Sequence, residues 1–393
     1  RHCWKKQGHG SQTLTQAVQH SCNVAFINIG LRVGAENFYK YARAFGFFEP
    51  TGIELAGESS SVWWTEDVFF DPMNKTQLAA ASFGQTFTIT PLQLITAVSA
   101  CANGGYLLHP YLVKEVMDGD GNTVSKAEPT VVRQVISVET SKKVCSILEK
   151  VVCDPVDGTG KNAYVAGYRI AGKTGTSTKT VKEIDGTKEY IVSFVGFAPA
   201  DDPRIAILVL RDNPDAGCGV YVSGGNMGAP TVGNMFADIL PYMGVEAVYT
   251  QDEETYMDKS VPSVVGMTVE QAQDAAARQG LGYRVIGDGT EVTYQLPEAN
   301  SVVAAQSQMI FYCGAEPSAE TEEMPDLTGL TYSIARQRLG YYGLFIKTNS
   351  NRIADSDTIV VSKQSIESGE QVEHGTVIEV TLVDTDASVY GRY

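Results

Sequence analysis

The chain has 393 residues, 43% of them hydrophobic and 19% charged, with a formal net charge of −16 at pH 7 and a pI near 4.8. That length exceeds one ordinary core, so two or more domains are expected, and the composition excludes a disordered or collagen-like chain. The acidity excludes a nucleic-acid backbone as partner, because phosphate binding needs a basic surface. Charge is unevenly spread: residues 250–393 carry 22 acidic and 9 basic side chains, against 24 and 21 in residues 1–249.

The opening segment has helical periodicity. Leu14, Ala17 and Val18 share one face, and Phe26, Ile27, Ile29 and Gly30 follow a polar break at residues 20–23. A third helix is expected from Glu36 to Ala44, stopping at Gly46. Thr90 with Gln93, and Pro91 in the first turn, mark the start of a helix that Gly104-Gly105 ends. Its apolar content predicts a buried helix. From Tyr168 the pattern turns to strands: Ala171–Thr176, Ile191–Ala198 and Ile205–Leu210, the last two joined by a Pro/Asp turn as a hairpin. A helix over 229–243 closes this part, giving an α+β domain with an antiparallel sheet flanked by helices and ending at residue 249.

An acidic linker is read over 250–260, and an internal repeat follows. Val261-Pro262, Gly266, Thr268, Ala272, Gly280 and Leu281 recur 63 residues later as Met324-Pro325, Gly329, Thr331, Ala335, Gly343 and Leu344. Gln295, Glu298 and Val303 recur at an offset of 69 as Gln364, Glu367 and Val372. The two small α/β units are assigned to 261–315 and 324–385, with a linker over 316–323 and a tail over 386–393.

Cysteines at 3, 22, 101, 145, 153, 218 and 313 form no C-x-x-C and no Cys/His ladder, so neither a metal site nor any cofactor is expected. His9 and His20 are read as packing residues, and Trp63-Trp64 as packing or a surface loop. No apolar run approaches the roughly 20 residues of a membrane span.

Two tripeptides carry chemistry. Ser21-Cys22-Asn23 lies in the break between two helices, and Lys173-Thr174-Gly175 lies on a strand. A serine hydroxyl beside a lysine amine relays protons in acyl transfer without a histidine. The Asn23 amide offers a donor and an acceptor to a substrate amide. Gly175 leaves the strand backbone open to a substrate chain, and the Thr176 amide is a candidate oxyanion donor.

With these motifs the sequence resembles the class B penicillin-binding proteins, the D,D-transpeptidases of peptidoglycan synthesis. The same order of signals includes Gly8-His9-Gly10 before Ser21-Cys22-Asn23, and Gly84-Gln85 leading into Thr90–Gly105. It continues with Gly158-Thr159-Gly160, Ala171–Thr176 and Phe194–Pro199. The 261–385 repeat looks like two PASTA modules, which with Cys22 points to the sporulation-type members. The resemblance implies a penicillin-binding, β-lactamase-like fold. It assigns Ser21 as proton relay, Asn23 as clamp on the substrate amide, and Lys173 as electrostatic partner of Ser21 and of the substrate carboxylate. Thr174, Gly175 and Thr176 become the substrate-carboxylate site. Its implied partners are D-Ala-D-Ala stem peptides, β-lactams and other cell-wall synthesis proteins. It implies an extracytoplasmic location, with a membrane anchor outside these residues.

The family's Ser-x-x-Lys nucleophile is absent. Three residues before each lysine there is no serine, and only Thr123, Thr140 and Thr176 fall in register. The nucleophile is therefore expected upstream of Arg1, and the chain alone is expected to be inactive. A non-catalytic wall-binding fragment and a β-lactam hydrolase or sensor on the same fold remain open. An oxidising location would make Cys3 and Cys22 a possible redox pair next to Ser21.

Overall fold

A computed structural model describes all residues except 1–2, 6, 74, 180–188, 216, 218–219, 318–320, 349–357 and 385–393. Cys218 and the tail over 386–393 thus lie outside the described residues. The chain divides into two compact units, Arg1–Glu246 and Ala247–Ala387.

In the first unit a three-stranded antiparallel sheet runs in the order Ala171–Thr178, Tyr190–Ala198, Ile205–Asp212. Lys173 faces Val195 and Gly175 faces Ser193 across the first pair. The central strand reads as a nearly unbroken apolar run because both of its faces are covered. Phe194 and Ala198 pack with Val232, Phe236 and Leu240 of the Ala229–Tyr242 helix. Phe197 points the other way, onto Ala102 and Cys145. These belong to the helices Pro91–Ala102 and Val138–Cys153. The product is a helix–sheet–helix sandwich whose Ala171–Thr178 strand lies at the sheet edge.

The Pro91–Ala102 helix begins with the expected capping box between Thr90 and Gln93. It is less enclosed than its composition suggested, with Gln93, Ala97, Ala100 and Ala102 buried and its remaining residues partly or more open. The Asn23–Val33 helix departs further. It is apolar almost throughout, yet only Gly30 is buried, pressed so close to Ser82 that a Cβ would lie 1.8 Å from the Ser82 Oγ. Trp63 packs, as its neighbours imply: its ring stacks between Phe48 at 4.8 Å and Phe87 at 4.3 Å. No helix among the described residues is long and apolar enough to cross a membrane.

In the second unit the repeat is structural. Each half has a helix, Val269–Arg278 or Tyr332–Tyr341, and a three-stranded mixed sheet. The central strands are Gln308–Cys313 and Val377–Asp384, each with one parallel and one antiparallel neighbour. Gln295 and Gln364 play one role twice. Gln295 Oε1 accepts from the Val264 N–H at 2.7 Å, and its Nε2 donates to the Pro262 carbonyl at 3.0 Å. Gln364 does the same with Leu327 at 2.8 Å and Pro325 at 3.2 Å. A side-chain amide, buried in Gln295 and half-buried in Gln364, thus ties the Val/Met-Pro entry of each half to its sheet.

Both expected linkers contain regular elements among their described residues. Residues 250–260 contain the helix Gln251–Tyr256, started by a Thr250–Glu253 capping box, and the strand Lys259–Ser260 paired with Val302–Val303. Acidity had masked the cap. Within 316–323, Thr321–Glu323 pairs with Gln371–Glu373. Asp258 also joins the halves, accepting from the Tyr332 hydroxyl at 2.8 Å and the Thr348 N–H at 2.9 Å.

Candidate active site

Ser21 occupies the turn between the helices Leu14–Gln19 and Asn23–Val33. Its φ of 48° lies in the left-handed region that a side chain rarely adopts, a strain of about 1–3 kcal/mol that the surroundings must hold. They hold it at several points. The Ser21 N–H donates to Val18 and the Cys22 N–H to Ala17. Trp4 Nε1 donates to the His20 carbonyl at 2.8 Å. The turn therefore presents a serine hydroxyl outward on a fixed backbone.

The edge strand brings Lys173 to that hydroxyl. Lys173 Nζ donates to Ser21 Oγ at 2.8 Å and to the Thr174 carbonyl at 3.2 Å. Its ammonium is removed from water, and this desolvation pulls its pKa down to about 8. A lysine in that range exchanges a proton near neutral pH, which an ordinary surface lysine does not. Thr174 Oγ1 reaches Thr159 Oγ1 at 3.5 Å, and Thr176 Oγ1 accepts from the Gly224 N–H at 3.2 Å. Asn23 opens the second helix, half-buried and two residues from Ser21. Gly175 also meets a steric constraint that the sequence did not announce. A Cβ there would lie 2.5 Å from Ser193 Oγ on the paired strand. Gly224 approaches as closely, since its own Cβ would come within 2.6 Å of the Gly175 carbonyl.

Behind Ser21 the structure corrects the expectation of no metal-ligating set. Cys3, His9 and Cys22 place their ligand atoms within 4.8 Å of one another, although their spacing matches no sequence motif. The two Sγ atoms are 3.8 Å apart, and Cys3 Sγ lies 3.5 Å from His9 Nδ1. A tetrahedral ion bound at about 2.3 Å to sulfur and about 2.0 Å to nitrogen imposes separations of about 3.8 Å and 3.5 Å. The two separations from Cys3 Sγ therefore match a zinc-type ion, with the third within 4.8 Å, and the two thiols are equally poised for oxidation. Burial keeps the Cys3 thiol above its ordinary pKa, while burial and the nearby His20 hold His9 below its own, as the neutral ligand form. His9 stacks on His20 at 4.6 Å, so its packing role is real but incomplete. His20 turns away from Ser21, to Asp157 at 3.2 Å and Gln12 at 3.0 Å.

The model of the penicillin-binding protein transpeptidase domain matches residues 2–240, and that of the PASTA domain matches 259–314 and 322–384. The chain belongs to the penicillin-binding protein transpeptidase family. It is 40% identical to stage V sporulation protein D of Bacillus subtilis over 327 residues, 82% of this chain and 49% of that relative. It is 35% identical over 208 residues to penicillin-binding protein PbpB of Mycolicibacterium smegmatis, covering 51% of this chain and 31% of that one. The chain thus spans about half the length, or less, of these relatives. Among solved structures, penicillin-binding protein 3 of Mycobacterium tuberculosis complexed with aztreonam matches with a TM-score of 0.52 at 30% identity, covering 60% of this chain and 52% of that one. The D,D-transpeptidase domain of a peptidoglycan glycosyltransferase from Eggerthella lenta matches at 0.51 and 28%, covering 62% and 57%.

Proposed function

We propose that the protein of which this chain is part is a serine D,D-transpeptidase that cross-links peptidoglycan stem peptides and is acylated by β-lactams. The observation that carries the reading is the 2.8 Å bond from Lys173 to Ser21, made between the two motifs that resemble the family's second and third. In this reading a serine of an upstream Ser-x-x-Lys attacks the D-alanyl carbonyl, its hydroxyl proton passing to the lysine of the same motif. An ester C–O bond forms and the peptide C–N bond breaks. The departing amine takes its proton from Ser21 Oγ, which is re-supplied by the Lys173 ammonium. Asn23 holds the substrate amide, Thr174 and Thr176 hold its carboxylate, and Gly175 lets the strand pack flat. The acceptor amine then reverses the sequence, so the same serine–lysine pair accepts the proton it gave.

The protein acts outside the cytoplasm, anchored through a segment beyond these residues and working beside other wall-synthesis proteins. Its 261–315 and 324–385 modules accompany catalysis without contributing a motif. The test is chemical. The intact protein, given a stem pentapeptide donor and an acceptor amine, should release D-alanine and form the cross-linked product. β-Lactam turnover without a lasting adduct would favour the hydrolase reading instead.

A second reading concerns Cys3 and Cys22. Their 3.8 Å separation beside Ser21 supports a redox pair whose oxidation shifts that turn and slows acylation. A shift of about 1 Å at a reacting group costs on the order of 100-fold in rate. Faster acylation after thiol reduction, abolished in Cys3→Ser, is the expected sign.

A further inference from the structure

We infer that Thr159 is a positioning residue that locks the Ser21 turn to the Lys173 strand; the inference rests on the transpeptidase reading and adds a residue to it. Thr159 is buried, 7% exposed, and its one hydroxyl serves both motifs. Its Oγ1 donates to the Gln19 carbonyl at 2.8 Å, while the Thr159 N–H reaches the same carbonyl at 3.3 Å. The lone pairs of that Oγ1 face Thr174 Oγ1 at 3.5 Å, the outer limit of a hydrogen bond. Catalytic hydrogen bonds are often long without substrate and tighten when it binds. Gln19 lies two residues before Ser21, and Thr174 lies one residue after Lys173. A single side chain therefore spans from one motif to the other without touching the reacting atoms.

The surroundings leave Thr159 no freedom. Gly158 and Gly160 flank it, and both pack against the end of the Val138–Cys153 helix. A Cβ on Gly158 would lie 2.5 Å from the Val151 and Asp154 carbonyls, and one on Gly160 would lie 2.9 Å from the Phe194 ring. The same helix end and the residues after it grip the turn further. Gln19 Nε2 donates to the Lys150 carbonyl at 3.3 Å and to Asp154 at 2.9 Å, and the His20 ring meets Asp157 at 3.2 Å. Residues 154–159 thus form a seat for the strained Ser21 backbone, and Thr159 is its only side chain among the described residues that also reaches Thr174.

The test uses the full-length enzyme with its nucleophile, and Thr159→Val, Thr159→Ser and Thr174→Val variants. Thr159→Val removes the hydroxyl but leaves Gln19 its bond from the Thr159 N–H, so the fold stays intact. Saturation kinetics with penicillin should show acylation slowed by at least about tenfold and up to about 100-fold. The apparent binding constant should weaken too, because Thr174 loses its partner. The melting temperature should barely move, and Thr159→Ser should restore most of the rate. Combined with Thr174→Val, the losses should be less than multiplicative, as residues acting as one unit require. Acylation of Thr159→Val within twofold of wild type overturns the inference. So does a loss that Thr159→Ser does not repair, or losses that multiply independently. A wild-type enzyme that penicillin does not acylate overturns the transpeptidase reading itself.

Discussion

Lys173 and Ser21 stand 152 residues apart in the chain and 2.8 Å apart in space. An edge strand and an interhelical turn meet there, and the lysine loses its water in doing so. That desolvation is an energetic cost to the fold. With its pKa lowered from 10.5 to about 8, the native state binds this proton less tightly than the unfolded chain does. Stability from this group is therefore at its lowest below pH 8 and recovers between pH 8 and 10.5.

It follows that Lys173→Met should leave the unfolding free energy at pH 7 unchanged or raised, by on the order of 1–3 kcal/mol at most, and should not lower the melting temperature. Acylation should be lost in the intact enzyme. Because the leaving amine needs the ammonium form, the wild-type acylation rate should fall as pH rises through about 8. Parallel melting and rate measurements decide this: a mutant that unfolds as readily as it loses activity would show Lys173 to be structural.

Cys3, His9 and Cys22 have two incompatible fates. Reduced full chain should bind one equivalent of Co2+ with the thiolate charge-transfer absorption of a tetrahedral site, and Zn2+ should displace it. Binding releases both thiol protons. Cys3→Ser or Cys22→Ser should abolish the band, whereas Cys153→Ser should not. A band that survives loss of both Cys3 and Cys22 places the metal elsewhere. Oxidation to a disulfide should block binding outright.

In the repeat, Gln295→Leu leaves the fully buried Val264 without its acceptor. An unsatisfied buried donor costs about 1–3 kcal/mol. Gln364→Leu should cost the second half a similar amount through Leu327. Calorimetry that finds either substitution silent would remove these amides from the account of the module fold.

Much of this was legible before the structure. The capping residues Thr90 and Gln93, the 190–212 hairpin and the 63- and 69-residue offsets each reflect local rules or repetition. Ser21 and Lys173 were legible through motifs. What stayed hidden depends on contacts distant in sequence. His9 looked like packing because its partners, Cys3 and Cys22, are joined only by the fold. Thr159 reads in sequence only as part of a Gly-Thr-Gly signal, with no role of its own, because Gln19, which it bonds, lies 140 residues away in the chain. The helix and strand inside 250–260 were obscured by charge, although Thr250 and Glu253 carry a capping box. The second constraint on Gly175, its closeness to Ser193, stayed hidden because that neighbour is set by strand register.

The Asn23–Val33 helix leaves Val24, Leu31 and Val33 each 41% exposed. The chain of residues 1–393 should accordingly bind a hydrophobic dye, and a Val24→Ser/Leu31→Ser double substitution should reduce the signal. A purified chain that is monomeric and dark to the dye would contradict this.

The most direct measurement is mass spectrometry after incubation with penicillin. Residues 1–393 alone should stay unmodified. The intact protein should gain one penicillin adduct on the serine of an upstream Ser-x-x-Lys, and Ser21→Ala or Lys173→Ala should suppress it. An adduct on any serine within residues 1–393, or an intact protein that remains unlabelled, would contradict the account.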